Sequence, residues 1–228
     1  MSRMSFKVVL LGEGTNFPCG YPGADPFSGR VGKTSLVLRY VNNVFSEKQT
    51  STIQASFLSK RLTINDTTVN LAIWDTAGQE RFHALGPIYY RDADGALLAY
   101  DITDAESFTK VKNWVKELRK MVGNEIVLVI AGNKSDLDKQ RQVSVQEAET
   151  YAASVNAQHF STSAKTSKGI DECFLSLTKS ASPFIRSAAL TWIAEILEKK
   201  QTSRPKPSGG GLAIVDDAPK PAKKDGCC

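Results

Sequence analysis

Gly32-Lys33-Thr34-Ser35 has the composition of a phosphate cradle. A glycine turn that opens a helix lines up successive backbone N–H groups, and the helix N-terminus adds its dipole, so phosphate oxygens gather there. In that setting Lys33 reaches β- and γ-phosphates and the Thr34 hydroxyl ligates Mg²⁺. The complete pattern for such a loop is G-x-x-x-x-G-K-[ST], and the chain as written does not meet it, because Phe27 stands where the first glycine belongs. Residues 6–14 read Phe-Lys-Val-Val-Leu-Leu-Gly-Glu-Gly, an apolar strand running into a glycine turn, and residues 30–35 read Arg-Val-Gly-Lys-Thr-Ser. Removing Thr15–Gly29, or equally Gly14–Ser28, joins them as Gly-Glu-Gly-Arg-Val-Gly-Lys-Thr-Ser, which fits the pattern in full. Fifteen residues thus read as extra sequence inside one phosphate loop. The candidate phosphate-binding residues are Gly12, Arg30, Val31, Gly32, Lys33, Thr34 and Ser35.

Three further segments carry chemistry. Asp75-Thr76-Ala77-Gly78-Gln79-Glu80 follows the apolar run Leu71–Trp74. A carboxylate at a strand end holds Mg²⁺ through water, Gly78 offers its N–H to a γ-phosphate with no Cβ in the way, and Gln79 orients an attacking water. Asn133-Lys134-Ser135-Asp136 follows another apolar run. There the Asp136 carboxylate accepts from guanine N1–H and the 2-amino group, and adenine would leave it unpaired. Ser163-Ala164-Lys165 follows the last such run and places a backbone N–H toward guanine O6. Each short motif is weak alone; both base motifs, each after its own strand and in this order, are specific. An ATP-dependent enzyme is therefore a poor reading.

These motifs need a sheet whose strand ends meet on one edge. Strands are expected over 6–11, 55–64, 69–74, 95–101, 126–131 and 158–162, and helices over 33–41, 106–121, 144–155 and 169–179. Alternation of buried runs such as Val127–Ala131 with helical patterns predicts a doubly wound, mostly parallel six-stranded α/β sheet with about five helices on its two faces. The pair 55–64 and 69–74, joined by residues 65–68, predicts a hairpin that adds one antiparallel strand. In such sheets ligands bind beyond the carboxyl ends of the strands, where every motif above falls.

With 228 residues the chain suffices for one domain and a tail. Its net charge of +5 is uneven: residues 199–228 carry seven Lys/Arg and three Asp. A nearly neutral domain with a basic tail argues against nucleic acid and for an anionic membrane surface. The four cysteines, Cys19, Cys173, Cys227 and Cys228, form no metal-ligand spacing and imply no disulfide framework. Cys173 belongs to an apolar helical stripe; His83 and His159 lack Cys or His neighbours and are poor ligand candidates. Residues 203–211 are rich in Pro, Gly and Ser and read as a flexible linker.

Apart from the inserted segment, Phe6–Leu177 resembles a small GTPase of the Rab family within the Ras superfamily. Trp74–Phe82, Tyr89–Ala93 and Tyr100–Thr103 are Rab-like segments, and Ile53–Phe57 with Phe82–Tyr89 is most similar to the endosomal branch, nearest the Rab twenty-one subgroup. The resemblance implies GTP/GDP and Mg²⁺ as cofactors, with Thr34, Thr52 and Asp75 around the metal and Lys33 and Gln79 as catalytic groups. It implies that Phe45 packs edge-on against guanine, and that Phe57, Trp74 and Tyr89 form an aromatic triad read by effectors; core packing is the alternative for those rings. It implies lipidation of Cys227 and Cys228 by geranylgeranyl groups, since two lipids give stable anchoring. It also implies an exchange factor, a GTPase-activating protein, an escort protein, a GDP-dissociation inhibitor and effectors as partners. The protein would be a monomer cycling between cytosol and the cytoplasmic face of endosomes.

The expected organisation is a GTPase domain over 1–200 and a prenylated tail over 201–228. Thr15–Gly29 holds three prolines and three glycines, so neither helix nor strand is expected there. It can extrude as a surface loop, since long loops add little closure entropy. Alternatively it breaks the cradle, leaving an interaction module impaired in nucleotide binding or a product that does not fold. A second departure lies at about 180–192, where Ser182-Pro183 interrupts the last helix: it reads either as further extra sequence or as a helix that ends near Ser180 and a second that starts at Pro183 with Ser182 as cap.

Overall fold

The computed structural model describes residues 4–15, 30–52, 54–64, 67–77 and 86–181. Six strands are formed: β1 (Met4–Leu11), β2 (Ser56–Ile64), β3 (Thr67–Asp75), β4 (Gly95–Asp101), β5 (Val127–Asn133) and β6 (Gln158–Ser161). The helices are α1 (Lys33–Asn42), α2 (Gly86–Tyr90), α3 (Ala105–Met121), α4 (Val145–Ser154) and α5 (Ile170–Ala181), with a 3₁₀ segment at Ser135–Gln140. The strands lie in the order β2-β3-β1-β4-β5-β6. All neighbours are parallel except β2 and β3, whose antiparallel ladder runs from Ser56↔Asp75 to Ile64↔Thr67. The mostly parallel sheet expected from the buried runs is thus present. The hairpin connection is shorter than expected, because Thr67 and Thr68 extend β3 rather than the turn.

β1 shows why both faces must be covered. Val8 and Leu10 join one core with Leu36, Val37 and Tyr40 of α1 and Cys173, Phe174 and Leu177 of α5. Val9 and Leu11 join the other with Phe108, Val111, Val115 and Leu118 of α3 and Ala148 and Ala152 of α4. A period of two in the strand therefore divides the helices between two layers. Burial of each Leu or Val contributes about 1.5–3 kcal/mol, which holds β1 at the centre of the sheet.

Helix starts follow local chemistry. Asp104 caps α3, its carboxylate accepting from the backbone N–H of Glu106 and Ser107, and Arg119 and Lys120 complement the dipole in the last turn. Ser144 caps α4 by accepting from Glu147 N. α1 begins differently: Gly32, at φ 85°, precedes it and provides no side-chain cap. Two short elements were not expected. The six-residue 3₁₀ segment and the five-residue α2 are too brief for a helical period to show in sequence. α5 runs to Ala181, the residue before Ser182-Pro183; the departure expected at about 180–192 lies from residue 182 onward outside the described residues.

Candidate functional site

The carboxyl ends of β1, β3, β4, β5 and β6 deliver Gly12, Asp75, Asp101, Asn133 and Ser163 to one edge of the sheet. Strand order reverses at β1, whose neighbours are β3 and β4, and such a reversal opens a crevice for a ligand. Gly12 leaves β1 at φ 146°, and a Cβ there would lie 2.1 Å from Ala99 O. Gly32 packs equally closely, since a Cβ would meet Asn133 Nδ2 at 2.5 Å. Both positions therefore require glycine.

On the phosphate side, Lys33 is buried and donates to Gly12 O at 2.8 Å. Burial lowers its pKa, while the charges of Asp75 and Glu13 raise it. Thr34 Oγ1 donates to Asp75 Oδ2 at 2.6 Å and lies 2.6 Å from Thr52 Oγ1. A hydroxyl has one proton, so Thr34 spends its own on Asp75 and Thr52 donates to Thr34. Asp75 is fully buried, and its other oxygen, Oδ1, has no hydrogen-bond partner. Burial raises the Asp75 pKa; the Thr34 hydrogen bond and Lys33 oppose that shift. Two hydroxyls and a carboxylate with one oxygen unspent form a hard oxygen donor set of the kind Mg²⁺ takes, completed by phosphate and water oxygens. Among the described residues no cluster of three His, Cys, Asp or Glu competes for a metal. The residues present thus fit the ion.

On the base side, Asn133 is a brace within the protein. Its Nδ2 donates to Val31 O at 2.8 Å, and its Oδ1 accepts from Ala164 N at 3.3 Å. One buried amide therefore links the phosphate loop to the Ser163–Lys165 loop. Ser163 Oγ donates to Asp136 Oδ1 at 2.5 Å and accepts from Thr166 N at 3.1 Å. Lys134, at φ 62°, pairs its ammonium with Asp101 Oδ2 at 2.6 Å. Lys165 reaches Glu47 at 2.8 Å. Phe45 packs against the core beside α1, with the Arg39 guanidinium 5.8 Å from its ring. Ser35 occupies the first turn of α1.

Phe57 and Trp74 face each other across the β2–β3 ladder with centroids 5.6 Å apart, and Tyr89 lies 6.2 Å from Trp74. Phe57 is 56% exposed, whereas Trp74 and Tyr89 pack on the second core. The triad thus both packs and presents a surface. Gly78, Gln79, Cys227 and Cys228 lie outside the described residues, as do residues 16–29.

Several contacts at the site carried no signal in the sequence. Arg39 donates to Ala164 O at 2.9 Å and Lys165 O at 3.2 Å, steadying the base loop from α1. Thr76 Oγ1 donates to Leu10 O at 2.6 Å, joining the end of β3 to β1. Arg30 donates to Gln49 O at 2.6 Å, and Lys110 donates to Gly14 O at 2.8 Å. These are pairings across 19 to 126 positions of sequence, and no local pattern announces them.

The Ras family profile matches residues 28–182, more than half of the chain. The match begins after β1. The chain is 56% identical over 224 residues to Ras-related protein Rab-21 of Mus musculus, covering 98% of this chain and 91% of the relative. The Homo sapiens Rab-21 is likewise 56% identical, with 98% and 90% covered. The Dictyostelium discoideum Rab-21 is 48% identical over 227 residues, covering 100% and 98%.

Proposed function

Because the chain belongs to the Ras family as a small GTPase of the Rab type, we propose that its split phosphate loop is the working site of a GTP-hydrolysing switch in vesicle trafficking. The observation that carries this reading is the joining of Thr34, Thr52 and Asp75, with Asp75 Oδ1 unspent. Thr52 lies in the mobile-switch position of the family, and here its hydroxyl sits on the metal-binding threonine.

Amides of Arg30–Ser35 at the start of α1 hold the β-phosphate, and Lys33 exchanges its bond to Gly12 O for phosphate oxygens. Thr34, Thr52 and Asp75 would hold Mg²⁺, which supplies charge neutralisation between the β- and γ-phosphates. Gln79 orients the attacking water, and Gly78 offers its amide to the γ-phosphate. Asp136 and a backbone N–H of the Ser163–Lys165 loop read guanine, with Asn133 setting the distance between base and phosphate loops and Lys134 held by Asp101. Phe45 covers the base edge. After hydrolysis Thr52 loses the γ-phosphate, and segments 45–57 and 77–90 relax.

The GTPase domain spans 1–200 and includes Thr15–Gly29 as extra sequence, and 201–228 is its tail. Geranylgeranylated Cys227 and Cys228 attach the protein to the cytoplasmic face of endosomal membranes, aided by Lys220, Lys223 and Lys224 at about 1 kcal/mol each. Exchange factor, activating protein, escort protein and GDP-dissociation inhibitor act on this cycle. Phe57, Trp74 and Tyr89 form the effector face.

Single-turnover hydrolysis of GTP tests the reading. The full chain is expected to release phosphate only with Mg²⁺, to lose that activity in Gln79→Leu, and to ignore ATP. Folded protein that hydrolyses no GTP with Mg²⁺ and an activating protein present would overturn it.

A further inference from the structure

We propose that Lys110 and Asp104, at the start of α3, are positioning residues that hold the first half of the split phosphate loop in register with the second, doing the work of the chain continuity that Thr15–Gly29 interrupts. The proposal rests on the nucleotide-site reading above.

In an uninterrupted loop, covalent adjacency fixes Gly12–Gly14 relative to Lys33. Here fifteen residues intervene between Gly14 and Arg30. The second half has its own anchor, since Asn133 holds Val31 O and Gly32 packs against the same amide. The first half is held from α3. Lys110 Nζ donates to Gly14 O at 2.8 Å and pairs with Glu13 Oε1 at 3.1 Å. The Asp104 carboxylate accepts the backbone N–H of Thr15 at 2.9 Å and its hydroxyl at 2.8 Å. That same carboxylate caps α3, so Thr15 is fixed to a helix end. Four bonds thus converge on three consecutive residues, Glu13–Thr15, at the end of the first half of the loop.

Two consequences follow. Gly12 O remains 2.8 Å from the Lys33 ammonium, so the lysine stays aimed along the cradle. Lys110 also pairs with the carboxylate of Glu13, which is 3% exposed, and so ties that buried charge to α3.

The test compares Lys110→Ala and Lys110→Arg in the full chain and in a chain lacking Thr15–Gly29. Mant-GDP dissociation is timed with Mg²⁺, and hydrogen exchange of the Gly12–Gly14 amides is followed without nucleotide. Lys110→Ala is expected to speed dissociation about tenfold in the full chain, the scale of one lost charge-assisted hydrogen bond. In the shortened chain the effect should stay within about twofold, and Lys110→Arg should restore most of the loss. Exchange should rise in the full-length Lys110→Ala variant alone. Equal effects in both chains, or none in the full chain, would overturn the proposal. If the unsubstituted full chain fails to bind mant-GDP, the nucleotide-site reading falls, and the exchange comparison still decides whether α3 holds the loop.

Discussion

Replacing Asn133 by Ala removes a side chain that, in this account, touches no phosphate and fixes the distance between the phosphate loop and the base loop. The substitution orphans Val31 O and Ala164 N at a site only 1% exposed. Each buried unsatisfied group costs about 1–3 kcal/mol. The 2.8 Å bond to Val31 belongs toward the upper end and the 3.3 Å bond from Ala164 toward the lower, so the sum is about 3–4 kcal/mol. A domain of this size has about 5–15 kcal/mol of stability, so the loss is a large share of it. With a urea dependence of about 2 kcal/mol/M, the unfolding midpoint should fall by about 1.5–2 M. Urea titration without nucleotide, followed by tryptophan fluorescence, measures this directly. Asn133→Asp separates the two bonds, since it keeps an acceptor for Ala164 N and sets a second acceptor against Val31 O; its midpoint should also fall. A shift below about 0.3 M for Asn133→Ala would refute the argument that one amide carries both loops.

Gly32→Ala should weaken mant-GDP binding by at least about tenfold, because its Cβ would meet Asn133 Nδ2 at 2.5 Å from a backbone at φ +85°. Asp136→Asn should turn base preference from guanine toward xanthine in competition with mant-GDP, since a donor amide then faces the 2-position. His159 is bonded to Tyr100 at 3.0 Å, and burial lowers its pKa below 6.5, with Glu149 opposing and Arg141 reinforcing the shift. The fold therefore favours the neutral ring, so stability is complete above pH 6.5 and declines as pH falls through the depressed folded value; urea midpoints of His159→Gln should lack that acid-side decline.

What the sequence announced and what it withheld divide along physical lines. Val8–Leu11 and Val127–Ala131 declare buried parallel strands by their unbroken apolar character, and the motifs after them fall on one edge because parallel strands share a direction. Gly32–Ser35, Asp75 and Asn133–Asp136 are recognisable because phosphate, metal and base chemistry each demand a fixed residue type at a fixed offset. The second role of Asn133, as donor to Val31, has no local signal, since it joins residues 102 positions apart. The same holds for Arg39 beneath the base loop and for Lys110 behind the phosphate loop: a charged residue on a helix reads as solvated surface until the fold brings a carbonyl to it. Thr67 and Thr68 were read as turn because polar β-branched residues beside Asn65-Asp66 continue a turn-like composition, yet pairing with Ile64 and Thr63 draws them into β3.

Mant-GDP and mant-GTP affinities with Mg²⁺, measured on the full chain and on a chain lacking Thr15–Gly29, test the central claim most directly. The account predicts tight, Mg²⁺-dependent binding by both, because each half of the loop has its own anchors. Tight binding by the shortened chain alone would contradict it.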